Sequence, residues 1–398
     1  MKPAAGARSP LSPLNAPLTR LFARLLAEMD NPESSEWDAA DSRLDPRVYH
    51  DPAIFQREKA RIFRKLPLCL GHADQLRAPG SVLARDLLGL PLLLTRDRQG
   101  EVHVLLNVCR HRGARMIHAQ NALCQTSGLS CPYHAWTYDL DGRLRGVPKP
   151  QAFPTLDKSL HGMRRLPSAV RHGLIWAVLD PAATAIDVAG HLGELDDDLH
   201  TLGLGSHFFF RQRVQTRATN WKLMMDAFQE TYHIKRLHAP TIAPFFTEVN
   251  PAGETVGRHA RILVGRDRLP EARDLPPAAW DARKHATLTH VIFPNSLLIY
   301  HPDSTSHMGM FPTAPGEITF VHTMFTPEDA QTEKQIAHWD RNFAMIDGGV
   351  FSAEDLFISE EIQAVVAAGA NDSLVFGRQE HLLRRFHAHV SALLNGSD

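Results

Sequence analysis

Cys109-Arg110-His111-Arg112-Gly113 is followed, with nineteen residues between His111 and the next cysteine, by Cys131-Pro132-Tyr133-His134. Each half of this stretch offers one thiolate and one imidazole. A Cys₂His₂ set with C-x-H and C-x₂-H spacing suits a 2Fe-2S centre in which two histidines replace two cysteines on one iron. Cys109 and Cys131 would hold one iron, His111 and His134 the other. Neutral imidazole donates less charge than thiolate, so such a cluster accepts an electron more readily than an all-cysteine one. Zinc is the alternative, but its usual pattern pairs like with like, C-x₂₋₄-C and then H-x₃₋₅-H. Here each half is mixed. Gly113 and Gly142 permit tight turns, and Pro132 stiffens the second loop.

The segments CRHRG (109–113) and CPYHAWTYDLDG (131–142) resemble the two cluster-binding loops of Rieske proteins. The span between them is a little longer than is common in the oxygenase branch of that family. Cys124 lies in the extra length and reads as a bystander.

Outward from this stretch, the chain is ordinary in composition. It has 398 residues, 43% apolar and 22% charged, enough for two domains with a sizeable core. Lysine plus arginine (43) nearly equals aspartate plus glutamate (44), so the overall balance argues for neither nucleic acid nor an anionic membrane as partner. Four cysteines, two of them assigned to iron, are too few for a disulfide scaffold; that fits a reducing cytoplasm. The N-terminal run MKPAAGARSPLSPLNAPL has Pro and polar residues where a signal peptide needs an apolar core. The most apolar segment, 87–94, is short and broken by Pro91, so no transmembrane helix is expected.

Residues 1–17 read as a flexible Pro- and Ser-rich arm. Leu18, Leu21, Phe22, Leu25, Leu26 and Met29 then recur at helical spacing, ending near Asn31-Pro32. A second helical pattern covers 48–64. Short apolar runs at 66–70, 81–88, 90–95 and 102–108 predict a small antiparallel β domain with a turn at 97–100. Residues 137–144 predict a hairpin turning at Asp141-Gly142, and 173–179 a last apolar strand. The predicted division is an arm and helix over 1–45, a cluster domain over 46–182 and a second domain over 183–398. In the latter, 190–206 reads as a helix whose acids (Glu194, Asp196, Asp197, Asp198) form a solvated face. Strands are expected at 208–216, 287–300, 306–311 and 317–325, helices at 328–346, 353–368 and 378–394. Residues 251–285, rich in Pro, Arg and Asp, predict a loop or lid. The expected class is α+β: an antiparallel β domain joined to an antiparallel sheet flanked by helices.

A second concentration of ligand-type residues lies at 219–238, with Glu230, His233 and His238. Glu230 and His233, three apart, would share a face of one helical turn. His238 is five beyond His233, so the helix should end or bend there, as Pro240 suggests. Two converging histidines and one carboxylate form the facial triad of non-heme Fe(II) oxygenases, with positions left open for O₂. The carboxylate must come from elsewhere, and Glu354-Asp355 is the best candidate. A cluster that hands on single electrons needs an acceptor, and a histidine–carboxylate iron supplies one.

The combination resembles the alpha subunit of Rieske non-heme iron oxygenases, the ring-hydroxylating family, over about 46–386. The resemblance implies a helix-grip catalytic domain and iron ligands His233, His238 and Asp355. It also implies Glu230 as the acid carrying electrons from cluster to iron, in a homotrimer where His134 of one subunit approaches Glu230 and His233 of the next. It implies a terminal oxygenase that hydroxylates an apolar, aromatic-type substrate, as in aromatic catabolism, or an N- or O-demethylating monooxygenase. A small beta subunit is left open. No G-x-G-x-x-G strand–helix unit occurs, so a ferredoxin or flavin reductase would have to oxidise NAD(P)H. Met225, Phe228, Phe245 and Phe246 are candidate pocket residues, with core packing the competing role. Two other classes stay open: a Rieske electron-transfer protein without a working second site, and a zinc-stabilised binding protein.

Overall fold

The computed structural model describes residues 14–31, 33 and 36–396; most of the expected N-terminal arm lies outside the described residues. The chain forms two compact units, Phe63–His191 and a discontinuous one made of Met1–Ile62 with Leu192–Asp398.

The smaller unit is antiparallel β. Five strands lie in the order Arg165–Leu166, Val102–Leu106, Leu90–Arg96, Ser81–Leu87, Leu123–Gln125. Leu92, Leu93 and Leu94 are fully buried in succession, which is why this region reads as an unbroken apolar run. The predicted turn is closed by Asp97, whose Oδ1 accepts from the amides of Gln99 and Glu101, both at 2.9 Å. A second, three-stranded sheet (Leu129–Ser130, Thr137–Tyr138, Leu144–Gly146) carries the second Cys/His loop. Cys124 sits in the edge strand Leu123–Gln125, paired with Val82.

The larger unit is built on a seven-stranded antiparallel sheet. Its order is Phe208–Arg217, Glu317–Thr326, Thr305–Ala314, Ser296–Tyr300, Ala286–Ile292, His259–Gly265, Ala252–Val256. Helices Trp221–Ala227, Glu333–Phe343, Leu356–Val365 and His381–Asn395 belong to the same unit.

The structure corrects several expectations. Residues 46–62 join the larger unit, because Glu58 on helix Pro52–Glu58 is buried against Lys222 Nζ (2.6 Å) and Trp221 Nε1 (2.9 Å). The stretch 251–285 is largely ordered: Ala252–Val256 and His259–Gly265 are paired sheet strands, their alternation masked by Arg258, Arg261 and His259. Within the acidic helix Leu195–Thr201, Asp198 is buried, not solvated. It accepts from Asn15 Nδ2 (2.6 Å) and Arg261 Nη1 (2.8 Å) and lies 3.2 Å from His290 Nε2. Burial alone would raise its pKa. Its bonds and charge contacts with His290, Asn15 and Arg261 outweigh this and hold the carboxyl below its ordinary value.

Candidate metal centres and cavity

The two Cys/His loops share one backbone device. The Cys109 amide donates to Ala114 O (2.8 Å), and Cys109 O accepts from the Gly113 amide (3.0 Å). The Cys131 amide donates to Trp136 O (2.8 Å), and Cys131 O accepts from the Ala135 amide (2.9 Å). Both turns require a left-handed residue four after the cysteine. Gly113 supplies it at φ 79°, and Ala135 at φ 54°, where a Cβ costs about 1 kcal/mol. Sequence reading found the glycine and missed the alanine.

Around these loops, Cys109 and Cys131 are buried, with their sulfurs within interaction reach. Burial pushes the Cys109 thiol up. For Cys131 burial also works upward, but the amides of His134 and Tyr133 donate to the sulfur and bring it below its ordinary pKa. Tyr138 Oη accepts from the Arg110 amide (3.0 Å) and stands 3.4 Å from Cys109 Sγ, so its proton is free to point at the sulfur. Trp136 stacks on His111, ring centroids 4.9 Å apart and planes 5° from parallel. The His111 and His134 rings are 4.7 Å apart, and Nδ1 of each is buried without a hydrogen-bond partner. Two soft sulfurs and two orphaned imidazole nitrogens fit a 2Fe-2S group with mixed ligands.

In the larger unit the expected helix through Glu230 and His233 is absent. Helix Trp221–Ala227 stops, and 228–233 run irregularly into the short helix Ile234–Leu237, with His233 before it and His238 after it. Glu230 still reaches His233: its carboxylate accepts from His233 Nδ1 and from the His233 amide (3.2 Å). The two imidazole centroids are 5.2 Å apart. Asp355 ends a widened, π-helical stretch, Ala344–Asp355, in which Gly348 and Gly349 relax the helical preference. Its Oδ1 lies 3.2 Å from His238 Nε2 and 3.8 Å from His233 Nε2. Ligand atoms of His233, His238 and Asp355 all fall within 4.8 Å of one another.

Each histidine is fixed from behind by a carboxylate. Glu230 holds His233 Nδ1, and Glu354 Oε2 holds His238 Nδ1 at 2.6 Å while accepting from Thr241 Oγ1 at 2.7 Å. An Nδ1–H bonded to carboxylate leaves the Nε2 lone pair as the metal-facing donor. Burial lowers the His238 pKa, but Asp355 and then Glu354 outweigh it and the net shift is upward. Both Asp355 oxygens are buried without a hydrogen-bond donor. A buried carboxylate facing two oriented Nε2 atoms fits a divalent iron with open coordination positions. The sequence pointed to the pair 354–355 without separating their tasks: Asp355 faces the histidines, whereas Glu354 orients one of them. Glu354→Gln is expected to weaken iron binding about 10- to 100-fold. Iron retention during chelator dialysis checks this, with the visible cluster spectrum unchanged.

A cavity of about 300 Å³ opens beside the triad, lined by Phe228, Phe245 and Phe246 among mainly apolar side chains. Phe228 meets Phe351 edge to face, with centroids 5.8 Å apart. Met225 is a correction: it is fully buried on helix Trp221–Ala227 and does not line the cavity. The sequence reading missed Arg266, Thr287 and His301 on its wall, because Arg266 fell in the presumed loop, Thr287 in a run read only as strand, and His301 just past the end of that run.

A β unit with a mixed Cys/His pocket, joined to a helix-flanked sheet with a two-histidine, one-carboxylate cluster, defines a two-centre iron protein. Residues 67–158 match the Rieske [2Fe-2S] domain, and 202–396 match the ring hydroxylating alpha subunit (catalytic domain). The chain belongs to the Rieske non-heme iron oxygenase alpha-subunit family. It is 34% identical over 202 residues to biphenyl 2,3-dioxygenase subunit alpha of Rhodococcus jostii, covering 49% of this chain and 43% of that one. The match thus spans less than half of that relative. Against the carnitine monooxygenase oxygenase subunit of Acinetobacter baumannii it is 27% identical over 330 residues, 80% of this chain and 84% of that one. Among solved structures, a quaternary ammonium Rieske monooxygenase in complex with L-carnitine superposes with TM-score 0.75 at 20% identity, covering 90% of this chain and 97% of that one. Naphthalene 1,2-dioxygenase from Rhodococcus sp. bound to indole gives 0.73 at 20%, covering 96% and 99%. These last two likenesses establish the fold. Among the described residues no helix is long and apolar enough to cross a membrane.

Proposed function

We propose that this chain is the terminal oxygenase component of a multicomponent system, hydroxylating an apolar substrate with electrons from a separate NAD(P)H-dependent reductase. The observation that carries it is the convergence of His233 Nε2, His238 Nε2 and the undonated Asp355 carboxylate at the edge of an apolar cavity. Cys109, Cys131, His111 and His134 would hold a 2Fe-2S group that stores single electrons, and the triad an Fe(II) that binds O₂. The protein's own work is orientation. Glu230 and Glu354 fix the histidine tautomers, Trp136 fixes His111, and Phe228 and Phe351 limit water at the reacting end.

Glu230 has a further task in this reading. Its oxygens retain acceptor capacity, so it can take a second imidazole N–H, that of His134 from a neighbouring copy in a homotrimer. Glu230→Gln is expected to weaken mononuclear iron binding as Glu354→Gln does and, once loaded with excess Fe(II), to slow re-oxidation of a pre-reduced cluster about 10- to 100-fold in single turnover. Re-oxidation at the wild-type rate would remove that role.

The long match to a carnitine monooxygenase subunit supports a second reading, oxidative N-demethylation. Assay of the loaded enzyme with a surrogate ferredoxin and reductase, products read by mass spectrometry under ¹⁸O₂, separates the two. Ring or side-chain hydroxylation supports the first; formaldehyde release supports the second. Failure to form any oxygenated product across hydrocarbons, acids and amines would sink both and favour an electron-transfer protein.

A further inference from the structure

We infer that Arg266 makes this cavity a site for an apolar substrate carrying a carboxylate; the inference rests on the oxygenase reading and names the substrate class for it. Strand alternation places the residue. Ile262 and Val264 of His259–Gly265 line the cavity, and Arg266 follows two residues on, lining the same cavity. The neighbouring strands present Thr289 opposite Ile262, Thr287 opposite Val264, and Ile299 opposite Thr289. His301 continues past Ile299. The wall is therefore apolar along its length and polar at one end, where Arg266, Thr287 and His301 collect.

The charge at that end is uncommitted. Arg266 Nη1 donates one long bond, 3.3 Å, to Thr287 Oγ1, and its Cζ lies 5.5 Å from the Phe246 ring centroid. Among the described residues no carboxylate comes within ion-pair distance of this guanidinium. The contrast with other arginines of the same sheet region is sharp. Arg261 pairs with Asp198 and Glu254, Arg217 with Glu360, and Arg213 with Asp347. Arg283 is satisfied by the carbonyls of His301 and Ser304, both at 2.5 Å. Asp303 lines the cavity too, but its Oδ2 accepts from Asn342 Nδ2 (3.0 Å) and meets His338 Nε2 at 2.8 Å. Burial pushes the Arg266 pKa down, and Asp267 and Asp303 only partly offset this, yet a guanidinium stays charged at neutral pH.

A planar fork of N–H donors, one face against a phenyl ring, matches a carboxylate in two parallel hydrogen bonds. His301 stays neutral and adds no charge of its own: its Nε2 is 2.9 Å from Ser306 Oγ, and burial, with His322, Arg283 and Arg266 adding, drives its pKa down to about 3. A purely cationic substrate would meet the guanidinium with only Asp303, already engaged by Asn342 and His338, to answer it, since the other cavity carboxylates, Glu230 and Asp355, serve the triad. An acid with an apolar body satisfies both ends of the wall.

The test is calorimetric titration of the iron-loaded protein with benzoate, 2-naphthoate, their methyl esters, naphthalene, glycine betaine and L-carnitine. Wild type, Arg266→Gln and Arg266→Lys are compared. Wild type is expected to bind an aryl acid about 10- to 100-fold more tightly than its ester. Arg266→Gln should lose that preference, with ester affinity and both iron contents unchanged, and Arg266→Lys should recover part of it. Equal affinity for acid and ester in wild type, or undiminished acid binding by Arg266→Gln, would overturn the inference; the wild-type comparison stands even if the variant does not fold. Binding confined to the betaines would overturn the apolar body. Product analysis on the same ligands keeps the two readings apart. Arg266-dependent acid binding with no oxygenated product from any ligand sinks the oxygenase reading alone, and oxygenation of neutral arenes without acid binding sinks this inference alone.

Discussion

Asp355→Ala protein is expected to remain brown and to form no product. The substitution removes the one triad carboxylate, whose two oxygens are buried and meet no donor among the described residues. His238 Nε2 and His233 Nε2, which stood 3.2 Å and 3.8 Å from Oδ1, then face the empty space the carboxylate had filled. Two neutral imidazoles alone hold Fe(II) poorly. The cluster residues 109, 111, 131 and 134 belong to the other compact unit, so their absorbance should be untouched. Iron content should fall from about three per chain to about two, with acid-labile sulfide steady at about two. Loss of sulfide together with iron would mean that the variant had lost its fold, and full activity would mean that Asp355 is not a ligand.

Glu58→Ala should be strongly destabilising, at about 3–5 kcal/mol. Lys222 is wholly buried and its ammonium ends 2.6 Å from Glu58 Oε1, itself buried. Burial drives the Lys222 pKa down, and Glu58, with a smaller share from Asp226, works the other way. Removing Glu58 strands that charge and also deprives Trp221 Nε1 of its acceptor. Both losses fall on the helix that leads into Glu230 and His233, so iron retention should drop with stability. Chemical denaturation at fixed protein concentration measures the first effect. Glu58→Leu with Lys222→Met should recover much of it, because it removes both charges together. A change under about 1 kcal/mol for the single variant would show that water reaches Lys222.

How far the sequence could be read depended on how local each signal was. The Cys/His loops were legible because ligand spacing is written within a few residues and a glycine marks the first turn. The second loop hid its matching turn, since nothing about Ala135 announces a left-handed conformation. The histidines of the triad were legible by type, but the path between them was not. Helical spacing predicted a helix through Glu230 and His233 that ends or bends at His238, whereas the chain already breaks after Ala227 so that both Nε2 atoms can face a residue more than a hundred positions away. Long-range polar pairing was least visible. Asp198 looked solvated until Arg261 and His290 came to it, and Arg258, His259 and Arg261 disguised the strand that carries the cavity wall. Met225 failed for a simpler reason: proximity in sequence to the ligands says nothing about which side of a helix faces a cavity.

Anomalous diffraction from crystals of the iron-loaded protein, recorded at the iron edge, puts the central claim to its most direct test. It should give two separate features per chain: an elongated peak among Cys109, Cys131, His111 and His134, and a single peak touching Nε2 of His233, Nε2 of His238 and the Asp355 carboxylate. Zinc in place of iron at the cysteines, or no metal where 233, 238 and 355 meet, would contradict it.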